Sequence, residues 1–168
     1  RAQVGGSPYN VAVALGLLGQ DVGFVCPLST DAYGDLLAAG LQRASVVQCN
    51  EARVHAPTAV AVVTTDVAGH PSYTFQRTGT ADRALQESPP IASLPEAVEA
   101  VHFGSLVLAQ EQDWPAWRAA IREARSRGAF IAFDPNVRGA LIDDLEAYRS
   151  RLVEAIELAD LVKASDED

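Results

Sequence analysis

The chain has 168 residues, of which 48% are hydrophobic and 7% aromatic, enough for one globular domain with a hydrophobic core. Its formal net charge of −9 argues against nucleic-acid or anionic-membrane partners, because phosphate groups demand a basic face. No run of 18 apolar residues is present, which argues against a membrane span. Cys26 and Cys49 lack metal-like spacing, which indicates free thiols in a cytoplasmic protein. The start at Arg1 and the lack of methionine predict that the chain begins inside a longer protein.

Strands and helices alternate along much of the chain. Apolar spacing predicts, in chain order, helix 8–19, strand 22–28, helix 33–43, strands 58–65 and 72–77, a short helix in GTADRAL, strand 100–108, helix 113–127, strand 128–135, helix 143–158 and strand 159–165. The turn at 66–71 makes strands 58–65 and 72–77 an antiparallel pair, and 86–96 is expected to be a surface connection. The later alternation predicts a mainly parallel sheet with helices on both faces.

A pair of glycines opens the first predicted helix. In GGSPYN (5–10), Gly5 and Gly6 would let backbone N–H groups approach a ligand hydroxyl or phosphate at a helix N-terminus. Asn10 can donate and accept hydrogen bonds at once, which suits a sugar hydroxyl. The pattern is neither a dinucleotide fingerprint nor a P-loop. A glycine turn with Asn10 capping locally remains the alternative.

Polar side chains follow three of the predicted strands, where α/β sheets bind ligands. These residues are Ser105, Asp134, Asn136, Arg138, Lys163, Ser165 and Asp168. Arg138 could bind an anion bidentately, or form a structural salt bridge. Ser165 and Asp168 could organise Mg²⁺ through water, or belong to an acidic helix N-terminus.

The segment FQRTGTADRAL (75–85) places Phe75 and Arg77 on one face of a strand. They could cover a polar ligand over a cleft, or simply form an exposed strand face. The three histidines His55, His70 and His102 have no partners at catalytic spacing, which argues against a catalytic triad or a zinc site.

Taken in order, the segments GGSPYNVAVALGLLG, FQRTGTADRAL, HFGSL, FDPNVR and ADLVKASDED resemble the PfkB (ribokinase-like) carbohydrate kinases, in particular fructokinase-like members. The likeness covers nearly the whole chain, which corresponds to the N-terminal and central part of the family. One departure is Ser29, which stands where the family signature expects glycine. The resemblance implies a three-layer α/β/α ribokinase-like (Rossmann-like) fold with a mainly parallel sheet, in which hairpin 58–77 contributes to a small β lid. Residues 1–168 would then be an incomplete domain.

The resemblance also implies roles for individual residues. The expected sugar-binding residues are Gly5, Gly6, Asn10, Phe75, Arg77, Ser105 and Arg138. The expected nucleotide- or phosphate-binding residues are Asn136, Lys163 and Ser165, and Asp168 is the expected metal contact. Ser165 and Asp168 stand where the family has an N-x-x-E-type element. ATP and Mg²⁺ are the implied cofactors. Lid strands in this family often pair between subunits, so an exposed edge here would give a homodimer, whereas a covered edge would fit a monomer.

The implied function is ATP-dependent phosphorylation of a sugar hydroxymethyl group, with fructose as the expected substrate. The family's opening strand would precede Arg1, and its catalytic aspartate, anion hole and nucleotide-binding portion would follow Asp168. We therefore expect no catalytic base in these 168 residues and no activity of this fragment alone. A 2-keto-3-deoxygluconate or nucleoside kinase of the same family, or a non-catalytic sugar-binding relative, stays open.

Overall fold

The computed structural model describes residues 2–50, 52–65, 71–166 and 168. The helices are α1 (Ser7–Leu17), α2 (Ala32–Arg43), α3 (Trp114–Ser126) and α4 (Leu145–Leu158). The strands are β1 (Gly23–Phe24), β2 (Val47–Gln48), β3 (Val60–Thr65), β4 (Pro71–Gln76), β5 (Ala100–Gly104), β6 (Phe130–Asp134) and β7 (Leu161–Val162). Within these described ranges, no helix has the length and apolar character needed to cross a membrane.

The described residues form three sheets, of which two are parallel. Strands β5, β6 and β7 form one in that order, and β1 pairs with β2 in another. The predicted hairpin is confirmed: β3 and β4 are antiparallel, with Val60 opposite Gln76. Most of its turn, 66–70, lies outside the described residues. The α/β class with a separate β hairpin, called the lid below, therefore agrees with the sequence prediction.

The main core lies between the β5–β6 sheet and helices α3 and α4. Phe103 of β5 stacks on Phe133 of β6 with ring centroids 4.7 Å apart and ring planes 21° apart. Ile121 of α3 and Tyr148 of α4 close over them, and all four side chains are buried. Because side chains alternate along a strand, His102 of β5 faces the opposite side, where α1 contacts β5.

A second core joins α1 to α2 and fixes the glycine turn. The Tyr9 hydroxyl donates to the backbone oxygen of Leu37 at 3.1 Å. Gly40 permits this contact, because a Cβ at that position would lie 1.9 Å from the Tyr9 oxygen. The start of α1 is thereby held against the rest of the molecule.

Several predicted elements are shorter than the sequence indicated. Strand 22–28 is wrong beyond Phe24, because the Cys26 N–H donates to the Asn50 side chain at 2.8 Å and Pro27 has no N–H for a ladder. Strand 159–165 is reduced to Leu161–Val162, and the short helix in GTADRAL is one 3₁₀ turn, Ala81–Arg83.

Strand 100–108 also ends early, and segment 86–96 is not wholly a surface connection. The chain leaves the sheet after Gly104 and forms a 3₁₀ turn over Ser105–Leu108. In the connection, the 3₁₀ turn Pro90–Ser93 packs against α3, and Pro90 is almost fully buried.

Candidate functional site

A cavity of about 730 Å³ lies between the glycine turn, the lid and the carboxyl ends of β5 and β6. The predicted site residues that line it are Gly5, Gly6, Asn10, Phe75, Arg77, Ser105, Asn136, Arg138 and Lys163. Ser165 and Asp168 are not among its lining residues. Residues that are far apart in sequence therefore share one cavity, as the pattern of strand ends predicted.

The glycine turn presents the N-terminus of α1 to this cavity. Gly6 precedes the helix with φ of 123°, a conformation that other residues rarely adopt. Asn10 donates its backbone N–H to Gly6 O at 2.8 Å, which begins the helical hydrogen bonds and leaves its exposed side chain at the cavity. The N–H groups of the first helical turn have no intrahelical partner, so this end can receive hydroxyl oxygens.

The ends of β5 and β6 form the floor of the cavity and contain unusual backbone. Gly104 has φ of 154°, and a Cβ there would lie 1.8 Å from Asp134 O. Ser105 and Asn136 are not glycines, yet they have φ of 57° and 39°. The Ser105 N–H donates to Pro135 O at 3.1 Å, which links the two strand ends. Such strained positions cost about 1–3 kcal/mol each and cluster at functional sites.

Arg77 is buried where the lid meets the cavity, and is not on an exposed strand face. Its side chain is 7% exposed, and its Nε donates to Asp82 Oδ2 at 2.6 Å. Its Nη2 lies 3.6 Å from Asp113 Oδ2. Its Nη1 is buried and has no hydrogen-bond partner within the described part of the chain. Phe75, two residues earlier on β4, is half-buried and also lines the cavity.

A second polar group lies at the sheet end of the cavity. Lys163, which is 68% exposed, places its Nζ 3.3 Å from Oδ2 of the largely buried Asp134. His102 also lines the cavity, and its buried Nε2 has no hydrogen-bond partner among the residues described. Burial lowers the pKa of His102, with a smaller opposing effect from the Asp134 carboxylate, so the imidazole is neutral at pH 7.

Asp168 joins the loop after β6 to the loop after β7. Its Oδ1 accepts the Val137 N–H at 2.6 Å, and its Oδ2 accepts the Ser165 N–H and hydroxyl at 2.8 and 2.9 Å. Burial favours a higher pKa, but these hydrogen bonds outweigh it and hold the pKa of Asp168 below its usual value. The neighbouring Arg138 is exposed, and its Nη1 donates to Val137 O at 2.9 Å.

The start of the lid is tied to α2 by Asp31, whose side chain caps the N-terminus of that helix. Its carboxylate accepts the Gly34 N–H at 2.7 Å, and also the N–H and hydroxyl of Thr58 at 2.8 and 2.7 Å. Burial opposes ionisation, but these hydrogen bonds outweigh it and lower the pKa of Asp31 to about 2.

Four residues in or beside the cavity were not predicted to belong to the site: Cys26, Asp82, His102 and Asp113. Cys26 is a free thiol, as predicted, and lines the cavity. Burial, reinforced by the Asp82 carboxylate, raises the pKa of Cys26 to about 12, so it stays protonated and is a poor nucleophile. Asp82 lies within the segment already singled out for Arg77, whereas Asp113 was visible only as the predicted start of a helix.

Comparison with known proteins gives a consistent result for sequence and fold. "Fructokinase-1" of Oryza sativa subsp. japonica is 34% identical over 167 residues, which cover 96% of this chain and 50% of the relative. A solved fructokinase of Xylella fastidiosa with bound ATP superposes with a TM-score of 0.82 at 31% identity. It is matched over 97% of this chain and 52% of its own.

A fructokinase of Vibrio cholerae O395 in its fructose-, ADP- and calcium ion-bound form has a TM-score of 0.79 and 28% identity. The match covers 97% of this chain and 53% of that structure. The chain thus spans about half the length of the curated relatives it matches. The model of the family described as pfkB family carbohydrate kinase matches residues 1–168, and the chain therefore belongs to that family.

Proposed function

We propose that the full-length protein transfers a phosphoryl group from ATP to a hydroxymethyl group of fructose. The observation that carries this proposal is the shared cavity: the glycine turn and Asn10 line it together with Arg77, Ser105 and Arg138. Hydroxyl donors and acceptors suit a polyol, and cations at strand ends suit a phosphate. The rice relative's name and the fructose in the Vibrio cholerae structure support fructose as the sugar.

In this proposal the sugar lies in the cavity between the glycine turn and the lid. Gly5, Gly6 and Asn10 contact sugar hydroxyls, and Ser105 adds a hydroxyl from the strained end of β5. Phe75 and Arg77 cover the sugar from the lid and exclude water that would otherwise hydrolyse ATP. Catalysis by this part of the chain consists of positioning and charge stabilisation, since we assign no general base to it.

Arg138, Asn136 and Lys163 are proposed to face the transferred phosphate. Arg138 is exposed at the end of β6, where a guanidinium can bind phosphate oxygens bidentately. The ATP and ADP in the Xylella fastidiosa and Vibrio cholerae structures support a nucleotide as phosphate donor. Ser165 shapes this end indirectly, because its N–H and hydroxyl both bind Asp168.

Mg²⁺ is proposed as the metal that accompanies ATP, where it would neutralise charge on the phosphates. The residues described here contain no group of three His, Cys, Asp or Glu side chains able to hold a metal ion. Mg²⁺ is commonly bound by one or two carboxylates together with substrate phosphates and waters, so nucleotide oxygens are expected among its ligands. Asp168 remains the candidate contact from this chain, through water, because both of its oxygens already accept hydrogen bonds.

The test is a coupled assay of ADP formation by the full-length protein with fructose, 2-keto-3-deoxygluconate and a nucleoside as acceptors. Fructose-dependent ADP formation with a phosphorylated sugar as product is expected. Preference for the acid sugar or the nucleoside would contradict the choice of substrate. Fructose binding by calorimetry without ADP formation would instead identify a non-catalytic sugar-binding relative.

A homodimer through the lid is a separate proposal, supported by the character of β3. Val62 and Val63 of that strand are 42% and 53% exposed, so each face of β3 presents an apolar side chain that the described residues cover only in part. Light scattering of the full-length protein, with Val63→Lys as the variant, tests it. A dimeric wild type and a monomeric variant are expected, and a monomeric wild type would refute the proposal.

A further inference from the structure

We propose that Asp82 and Asp113 neutralise Arg77, so that the lid end of the cavity selects an uncharged sugar hydroxyl over a carboxylate. The inference deepens the proposed function and rests on it. It also makes Asp113, which lies outside the lid at the start of α3, a positioning and specificity-determining residue. Four charged side chains and one unpaired donor at the lid end of the cavity support this inference.

The four side chains form a compact cluster with no net formal charge. Arg77 Nε lies 2.6 Å from Asp82 Oδ2, and its Nη2 lies 3.6 Å from Asp113 Oδ2. Arg83 donates to the same Asp113 carboxylate from Nε at 2.9 Å and from Nη2 at 3.3 Å. Two guanidinium groups therefore face two carboxylates.

The cluster is buried enough for its charges to matter. The side chains of Arg77 and Asp113 are 7% and 5% exposed, and those of Arg83 and Asp82 are 17% and 22% exposed. Charges at such a site are weakly screened by solvent, so adding or removing one charge strongly changes the electrostatic energy of the others. A substrate carboxylate would have to lose water here without meeting a net positive charge.

One donor of the cluster is left over, and it belongs to a residue that lines the cavity. Nη1 of Arg77 is buried and has no hydrogen-bond partner among the described residues. A buried donor without a partner is costly, so a ligand oxygen that reaches it is favoured. A sugar hydroxyl can accept this hydrogen bond without adding charge to the cluster.

Thr80 fixes the direction of this donor through Asp82. Its hydroxyl lies 2.6 Å from Asp82 Oδ1 and 3.0 Å from the backbone oxygen of Arg77. Asp82 Oδ2 is then available to the Arg77 Nε. The guanidinium is thereby held by two carboxylates through Nε and Nη2, while Nη1 has no partner among the described residues.

The experiment compares two acceptors in the full-length protein, with 2-keto-3-deoxygluconate as the charged sugar and fructose as the uncharged one. Asp82→Asn removes one negative charge and keeps the side-chain shape. The ratio of kcat/KM for fructose to kcat/KM for the acid sugar is expected to fall about tenfold, because Arg77 gains an unbalanced charge. Asp113→Asn is expected to lower the same ratio, mainly because the KM values for the two sugars change rather than the kcat values.

Two controls separate charge from structure. Asp82→Glu keeps the charge, and its ratio is expected to stay within about twofold of the wild-type value. Glu154→Gln makes the same carboxylate-to-amide change in the Arg118–Glu154 pair, which is not part of this cluster, and is expected to leave the ratio unchanged. General damage to folding lowers both activities together and does not move a ratio.

An unchanged ratio in both Asp82→Asn and Asp113→Asn would overturn the inference, as would an equal fall in Asp82→Glu and Asp82→Asn. A wild-type enzyme that prefers the acid sugar would overturn both this inference and the proposed substrate. A wild-type enzyme that uses another uncharged sugar would refute only the choice of fructose, and the ratio would then be measured with that sugar.

Discussion

Replacement of Gly104 by alanine tests whether the close approach of β5 and β6 builds the floor of the cavity. A Cβ at Gly104 would lie 1.8 Å from Asp134 O, whereas Cβ atoms in proteins essentially never lie within 3.0 Å of another non-bonded heavy atom. The obstacle is a backbone oxygen, so a rotamer change cannot relieve it. The strand ends must separate by about 1 Å to accept the methyl group.

The size of the effect follows from backbone strain and overpacking. Gly104 has φ of 154°, in a region that costs a residue with a side chain about 1–3 kcal/mol. Overpacking in a dense region costs about 1–3 kcal/mol more. We therefore expect Gly104→Ala to lower the free energy of unfolding by about 2–6 kcal/mol. A shift of about 1 Å at the adjacent Ser105 and Asp134 is expected to reduce kcat/KM about 100-fold.

Urea unfolding and steady-state kinetics of the full-length protein measure these two effects. Gly128→Ala is the matched control, because Gly128 also has positive φ, at 91°, but in the described part of the chain nothing beyond its chain neighbours lies within 4 Å of its Cβ position. It is expected to cost about 1–2 kcal/mol of stability and to leave kcat/KM unchanged. If Gly104→Ala resembled Gly128→Ala in both measurements, the close approach would not matter for the site.

Three further predictions concern the core, the lid anchor and the phosphate end. Phe133→Ala should lower the free energy of unfolding by about 3–5 kcal/mol in urea, because Phe133 is buried and stacked on Phe103. Asp31 has a lowered pKa of about 2, so its stabilising effect is present above about pH 4 and is lost towards pH 2; Asp31→Asn should flatten this part of the stability profile. Arg138→Gln should change stability by less than about 0.5 kcal/mol, since Arg138 is exposed, while single-turnover kinetics show slower phosphoryl transfer. A steep acid profile in Asp31→Asn, or unchanged transfer in Arg138→Gln, would contradict the roles given to those residues.

The sequence predicted the elements better than their ends. Local signals were sufficient for the hairpin, because the turn residues between two strand-like runs predicted the antiparallel pairing of β3 with β4. They failed after Phe24 and Gly104, where the chain leaves the strands. The strand ends before Ser105 because this residue has a positive φ. A hydrogen bond from the Ser105 N–H to Pro135 O, just after β6, stabilises that conformation. The pattern of apolar residues along the sequence does not reveal such a contact between distant segments.

The same limit applies to the candidate site. The strand ends predicted that Ser105 and Arg138 lie together, because ligands of α/β folds bind at the carboxyl ends of strands, and the family resemblance added the glycine turn to the same cavity. The burial of Arg77 was not predictable in this way. The alternation of side chains along β4 does not reveal that Asp113 Oδ2 lies 3.6 Å from Arg77 Nη2. Asp168 is predicted to contact a metal ion, and strand order does not reveal that its carboxylate also accepts hydrogen bonds from Val137 and Ser165.

The central claim is that the glycine turn and the ends of the later strands bind one sugar molecule. A crystal structure of the full-length protein with fructose and a non-hydrolysable ATP analogue tests it most directly. We predict a sugar oxygen within about 3.2 Å of the Asn10 side chain and another at the same distance from Arg77 Nη1. A sugar bound elsewhere, with neither residue in contact, would contradict the account.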